Sequence, residues 1–475
     1  MSRGLPLLIQ GGMGVAVSGW PLARVVSEAG HLGVVSGTAL DTVMARRLQL
    51  GDVGGHVRRA LAAFPVPKAA ERILSRYYVA GGKHADQRFR SIPMKRDKPS
   101  RNLEDLIVAA NFVEVFLARE GHSGLVGINY LEKLQAPTLP SLYGAMLAGV
   151  DYVLMGAGIP RGIPPVLDRL AQGLPVELKL DVKEAGRDDD FSVRFDPAGM
   201  MSGPVPRVKR PLFLAIVSSH ILAVMLARKI EVPVDGFIIE APTAGGHNAP
   251  PRGKLQLNEA GEPIYGDRDV PDLSVIRELG LPFWLAGGYS EPEQIREALD
   301  LGAAGVQVGT PFAYCEESGF DPDVKRRVLE LSRRAGVRVS TDPLASPSGF
   351  PFKVVQMDGT LSESDVYETR TRICDSGYLR TAYRKADRKI GWRCPAEPVD
   401  DYVSKGGALG DTVGRMCLCN ALTASVGLGQ IQRQGSPEPT IITSGDAVTD
   451  VARFLAPDAD SYTALDVIHQ LLPGG

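Results

Sequence analysis

The sequence predicts an α/β fold, a (β/α)8 TIM barrel with insertions and a smaller carboxy-terminal domain. Three observations lead there: eight short apolar runs rich in β-formers, a glycine or polar turn after each, and helical periodicity in the stretches that follow. The runs are 7–10, 33–36, 125–129, 152–155, 213–217, 236–240, 283–286 and 305–309. Near-continuous apolar strands alternating with helices describe a parallel sheet covered on its outer face, and eight such units can close on themselves. A doubly wound open sheet would give the same alternation; the strand count and the turn chemistry at the last strands favour the closed form.

Taken in order, the first run lies within the first 23 residues, which are apolar enough to be mistaken for a signal peptide. Gly4, Gly11, Gly12, Gly14 and Gly19 interrupt it, so a strand and a glycine turn are the better reading. No other stretch reaches about eighteen uninterrupted apolar residues, and no membrane span is expected. Residues 64–100 hold Pro65, Pro67, Pro93 and Pro99 with Lys83, Arg88, Arg90, Lys95, Arg96 and Lys98, which reads as a surface insertion whose charge is a solvated face. Residues 176–196 alternate as two short strands around a turn at 184–190, and a loop to Arg210 completes a second insertion, about 176–210. After residue 343 the pattern changes. A turn-rich Ser346-Pro-Ser-Gly-Phe-Pro351 leads into a segment with four of the five cysteines and then a helix at 464–472. The expected division is a barrel over 1–343 and, over 344–475, a second domain that caps the mouth or docks a partner.

Composition narrows the function. With 44% hydrophobic residues, 475 positions can bury a full core, and 53 basic against 55 acidic side chains leave no global field for nucleic acid or an anionic membrane. Small-molecule chemistry is favoured and a cytoplasmic location expected. Five cysteines are too few for a secreted disulfide framework. The 53 glycines and 35 prolines punctuate apolar runs without forming repeats, as many tight turns require.

In such barrels the working residues lie at the carboxyl ends of strands, and a phosphate commonly sits after the seventh and eighth. Here those ends are Leu285-Ala-Gly-Gly288, with a helical run from Glu291, and Gln307-Val-Gly-Thr310. Glycines let backbone approach an anion closely, and two such loops side by side make a phosphate cup; read singly, each is only a tight turn. No Gly-x-x-x-x-Gly-Lys-Ser/Thr loop occurs, which disfavours a nucleotide triphosphatase. The sixth strand closes with Glu240-Ala-Pro-Thr-Ala-Gly-Gly-His247. A neutral imidazole held by a rigid turn at a strand end can exchange a proton with a carbon acid near neutral pH, so His247 is the catalytic candidate. The other histidines, His31, His56, His84, His122, His220 and His469, lack that position.

The ordered pieces Ile9-Gln-Gly-Gly-Met13, Gly127-Ile-Asn129, Ala244-Gly-Gly-His247, Ala286-Gly-Gly288 and Gln307-Val-Gly-Thr310 resemble the nitronate monooxygenase (2-nitropropane dioxygenase) family and its relatives, the flavin-dependent enoyl-acyl carrier protein reductases. The match spans about residues 5–315. The resemblance implies FMN as cofactor, with Met13 and Gly14 along the isoalloxazine and Asn129 hydrogen-bonded to it. Gly245, Gly246, Gly287, Gly288, Gln307, Gly309 and Thr310 would hold the ribityl phosphate side. Glu240 stands where the family commonly has Gln, and a carboxylate there would disfavour an anionic reduced flavin. His247 matches the family's active-site histidine.

Two activities follow from that resemblance. In the monooxygenases a nitronate gives an electron to flavin and O2 then reacts, yielding a carbonyl compound and nitrite; His247 would orient the anion or deprotonate a nitroalkane. In the reductases NAD(P)H reduces the flavin, which passes hydride to an enoyl thioester. The protein supplies positioning and electrostatics in both. Cys374-Asp-Ser-Gly-Tyr378, Arg393-Cys-Pro-Ala-Glu397 and Cys417-Leu-Cys419 resemble the enoyl reductase components of polyunsaturated fatty acid synthases. The spacing of Cys374, Cys394, Cys417 and Cys419 lacks paired Cys-x-x-Cys knuckles, so they are read as buried small hydrophobes and no metal is expected. The expected partners are a small-molecule substrate with O2 or NAD(P)H, with a homo-oligomer left open. A non-catalytic reading, a flavin-binding subunit of a larger synthase with 344–475 as its docking surface, stands beside these.

Overall fold

The computed structural model describes residues 4–201, 203–432 and 435–473. At its centre eight parallel strands close into a barrel: β1 (Leu8–Gln10), β2 (Leu32–Ser36), β3 (Leu125–Leu131), β4 (Tyr152–Gly156), β5 (Leu212–Val217), β6 (Gly236–Glu240), β7 (Phe283–Ala286) and β8 (Gly305–Val308). Each strand pairs with its neighbour in the sequence, and β8 returns to β1 with Leu8 opposite Val306 and Gln10 opposite Val308. The eight apolar runs are therefore the eight barrel strands, and closure excludes the open sheet.

Alternation explains why the runs look uniformly apolar. Inward residues Ile9, Leu32, Val34, Leu154, Leu214, Ile238 and Trp284 form one buried cluster. Their outward neighbours, among them Leu8, Val153, Phe213, Phe237, Phe283 and Val306, join the helices in a larger one. A strand covered on both sides has no polar face to show. Trp284 is fully buried and its indole N–H donates to the Pro6 carbonyl at 2.7 Å, so its single donor is satisfied inside the core.

The helix Arg101–Arg119 anchors the outer layer. Its buried Glu114 accepts from the Trp20 N–H at 2.8 Å and from Arg47 at 2.9 Å, which fixes the start of the first barrel helix, Trp20–Glu28. The basic stretch of 64–100 presents a solvated face at Arg88, Arg90, Arg96 and Lys98, which are exposed, and departs from it at Lys95 and in the helix before it. Helix Pro67–Tyr77 buries Ala69, Ala70, Ile73 and Tyr77. Lys95 is buried, 2.8 Å from an Asp41 carboxylate oxygen and 3.6 Å above the Tyr378 ring. An ammonium can be buried when a carboxylate and an aromatic face replace its water, and a charge count along the sequence does not reveal such partners.

Within the second insertion, Val176–Lys179 runs antiparallel to Ser192–Phe195. The short strand Val182–Lys183 pairs with Thr381–Arg384, which pairs in turn with Ile390–Arg393, so the insertion and the carboxy-terminal segment share a sheet. Arg338–Asp342 and Phe352–Gln356 form a hairpin across residue 343. The last helix, Ala464–Leu471, lies against Trp20–Glu28. Among the described residues no helix is long and apolar enough to cross a membrane.

Candidate active site

Counting by twos from inward positions reaches the mouth of the barrel. Gly127 leads to Asn129 on β3, Ile238 to Glu240 on β6, and Gly305 to Gln307 on β8. These three polar side chains face a cavity whose rim is the loops that follow the strands. All twelve residues singled out from the sequence line it: Met13, Gly14, Asn129, Glu240, Gly245, Gly246, His247, Gly287, Gly288, Gln307, Gly309 and Thr310.

The glycine corners have a reason in backbone geometry. Gly246, Gly287 and Gly288 carry φ of 80°, 89° and 92°, a left-handed conformation that glycine adopts without penalty. Helix Pro292–Asp300 starts just beyond, with Glu291 and Gln294 forming a capping box. Against these loops lies a segment that sequence reasoning missed, Thr443-Ser-Gly445. The Gly246 N–H donates to Thr443 Oγ1 at 2.9 Å, and the Gly445 N–H donates to Thr310 Oγ1 at 3.1 Å. A Cβ on Gly245 would sit 2.7 Å from the Gly445 nitrogen, so the two backbones touch. An apolar Ile441-Ile442 pair followed by Thr-Ser-Gly was a visible strand-end signal, but nothing local says where it docks.

Some polar atoms here have no protein partner. Asn129 Oδ1 and Gln307 Oε1 are buried without a hydrogen bond. Buried polar groups are nearly always paired, so this pair of acceptors in a glycine-lined cavity marks a site for a ligand with its own donors. Glu240 also lacks compensation: burial pushes its carboxyl up to about 7.

His247 projects from the turn after β6. Its Nε2 lies 2.7 Å from Ser346 Oγ, and its ring packs edge-on against Phe352 with centroids 4.8 Å apart. Burial, aided by the charge of Lys133, holds the imidazole well below its ordinary pKa, so it is neutral at pH 7. Lys133 follows β3. Its Nζ donates to Ser348 Oγ at 3.0 Å and sits 4.3 Å from the Phe350 ring centroid. Burial pushes that ammonium down to about 7, against the opposing charge of Glu132. Lys133, Ser346, Ser348 and Phe352 were not foreseen; the turn signal of 346–351 was legible, but its position beside His247 depends on the hairpin. His220, by contrast, accepts the Asp272 N–H at 3.1 Å and is not among the residues lining the cavity.

Cys374, Cys394, Cys417 and Cys419 surround a separate small cavity. Among the described residues no group of three or more His, Cys, Asp or Glu is arranged to hold a metal ion.

Residues 204–342 match the nitronate monooxygenase family model. The chain is 27% identical over 231 residues to (3aS,4S,5R,7aS)-5-hydroxy-7a-methyl-1-oxo-octahydro-1H-indene-4-carboxyl-CoA dehydrogenase of Mycobacterium tuberculosis, covering 45% of this chain and 60% of that protein. It is 39% identical over 88 residues to the nitronate monooxygenase of Pseudomonas aeruginosa, covering 18% of this chain and 22% of that protein. The chain thus spans less than two thirds of the length of either relative. FabK from Thermotoga maritima superposes at a TM-score of 0.47 with 15% identity, covering 98% of this chain and 91% of that one. The matched segment runs from before β5 past β8 and includes Glu240, His247 and both glycine corners. Through that segment the chain is related to the nitronate monooxygenase family, as its motifs indicated.

Proposed function

We propose that this protein is an FMN-dependent oxidoreductase that oxidises alkyl nitronates with O2 to a carbonyl compound and nitrite. The observation that carries the reading is the meeting, in one cavity, of a neutral His247 with the unpartnered Asn129 Oδ1 and Gln307 Oε1 and the glycine corners. When bound, FMN would supply the one- and two-electron chemistry that no side chain here provides.

Met13 and Gly14 would flank the ring and Asn129 would hydrogen-bond it. Gly245, Gly246, Gly287, Gly288, Gln307, Gly309 and Thr310 would hold the phosphate side, joined by Thr443–Gly445. Glu240, whose carboxyl sits near 7, stays largely protonated in mildly acidic solution and can then donate a hydrogen bond where a carboxylate would repel negative charge. His247 Nδ1 has no hydrogen-bond partner among the described residues and is the nitrogen left to meet a substrate anion or an acidic C–H. Ile216 and Phe352 supply apolar wall that excludes water from it. Residues 344–475 act as the lid of the 1–343 barrel, contributing Phe352 and Thr443–Gly445 to the cavity and Ser346 to His247.

A second reading, reduction of an enoyl thioester by NAD(P)H, draws on the 231-residue similarity to a carboxyl-CoA dehydrogenase. Nitrite release and oxygen uptake with a series of alkyl nitronates test the first; no turnover at any chain length removes it. Anaerobic bleaching of the flavin by NADPH or NADH identifies the second. In either reaction His247→Ala is expected to cost on the order of 10²–10⁴ in kcat while leaving flavin content unchanged.

A further inference from the structure

Beside the cavity runs a continuous line of hydrogen-bonding groups from a lysine to the histidine. Lys133 Nζ lies 3.0 Å from Ser348 Oγ, Ser348 Oγ lies 2.8 Å from Ser346 Oγ, and Ser346 Oγ lies 2.7 Å from His247 Nε2. Its members come from distant parts of the chain: the segment after β3, the turn of the 338–356 hairpin, and the loop after β6. Ser346 is fully buried, and Arg415 donates to its carbonyl at 2.6 Å and to that of Leu344 at 2.7 Å, so the turn is clamped.

The donors in this line have a fixed direction. An ammonium has three hydrogens and no acceptor, so Lys133, when charged, obliges Ser348 Oγ to accept. The Ser348 hydroxyl hydrogen then points to Ser346. Ser346 Oγ also receives the Ser348 N–H at 3.3 Å, which fills its second lone pair. Its one hydrogen is left for His247 Nε2, and the neutral imidazole therefore carries its own proton on Nδ1. When Lys133 is an uncharged amine, every bond in the line can reverse, and the imidazole proton moves to Nε2.

We propose that Lys133, Ser348 and Ser346 are positioning residues that form a proton relay, setting the tautomer of His247 and exchanging with it the proton that His247 trades with substrate. This rests on the reading of His247 as the group that meets the substrate. In the delivering direction the Nδ1–H bond breaks as a C–H bond forms on substrate, Nε2 takes the Ser346 hydroxyl hydrogen, Ser346 takes that of Ser348, and Ser348 takes one from the ammonium. Lys133 ends as an amine, and no electrons change hands. Deprotonation of a nitroalkane runs the same line backwards and ends with the ammonium. The charged groups facing the line are Glu132 beside Lys133, Glu240 across the cavity, and Arg415 on the hairpin side.

The test reads the tautomer directly. Protein purified with its bound cofactor is labelled with ¹⁵N-histidine, and the His247 ring nitrogens are identified by their loss in His247→Gln. The expected spectrum at pH 6 shows Nδ1 protonated. Ser348→Ala, which does not touch His247, and Lys133→Met should each shift it toward the Nε2-protonated form, while Ser348→Thr keeps the original pattern. A wild-type spectrum with Nε2 protonated, or one that neither variant changes, overturns the relay. With whichever substrate turns over, Ser348→Ala should lower kcat about 10-fold or more with little change in KM, and Ser348→Thr should restore it; an unchanged kcat also overturns it. The spectrum needs no turnover, so a shifted tautomer in a protein inactive on nitronates and enoyl thioesters would sink the proposed reactions and leave the relay standing.

Discussion

The floor and the mouth of the barrel use the same eight strands for opposite ends. At the floor, Leu32, Leu154, Leu214, Ile238 and Trp284 are apolar and buried, and the one polar group among their side chains, the Trp284 N–H, is paired. One step further along the strands, Asn129, Glu240 and Gln307 are polar, and each lacks a partner or carries a displaced pKa. A closed sheet stores its stability below and can spend it on unsatisfied groups above, which is why local rules hold at one end and fail at the other.

The largest effect belongs to the floor: Trp284→Ala removes the biggest fully buried side chain and leaves the Pro6 carbonyl without its donor. A loss of roughly 3–5 kcal/mol is expected in urea unfolding; a loss below about 1 kcal/mol would mean that the floor does not carry the fold. Next comes a mouth variant with little bearing on the core. A Cβ on Gly445 would lie 2.8 Å from Thr310 Oγ1 and 2.9 Å from the Thr243 carbonyl, so Gly445→Val must push the carboxy-terminal loop away from the glycine corners. Flavin affinity should fall about 10-fold or more, read by fluorescence titration, with a far smaller change in the unfolding midpoint than at Trp284.

The smallest effect is a slope with pH. The Glu240 carboxyl is raised in the folded protein from 4.5 to about 7, so its contribution to stability is fully present below the unfolded value and is lost as pH rises through about 7. Between those values the unfolded chain has released a proton that the folded chain keeps, and stability falls with rising pH. Glu240→Gln should flatten that segment of the curve in cofactor-free protein, measured as the urea midpoint from about pH 4 to about pH 8. An unchanged slope would show that the carboxyl is not desolvated as the fold indicates.

Much of this was legible in the sequence because barrel strands announce themselves locally. Gly236–Glu240 and Phe283–Ala286 fall where the apolar runs lie, and both of these strands lead into a Gly-Gly turn. The twelve candidate residues converge because the fold places all strand ends on one rim, so recognising eight strands sufficed to bring Met13 near Thr310. What stayed hidden lies far along the chain. Ser346 reaches His247 through a hairpin that spans residue 343, and Thr443–Gly445 reaches Thr310 through a loop whose docking place nothing local records. Lys95 illustrates the same limit in a charge: its partner Asp41 is 54 positions away, and proximity in space is not written in spacing.

The late arrival of Thr443–Gly445 has a consequence for biosynthesis. A ribosome releases the amino end first, so β1 to β8 can zip shut while the stretch that walls the two glycine corners is still being translated. During that interval the glycine corners lack the wall that Gly445 later places against Thr243 and Thr310. Lys353 pairs with Asp446 at 2.6 Å, and that ion pair ties the late-made stretch to the hairpin strand Phe352–Gln356, whose Lys353 is translated 93 positions earlier.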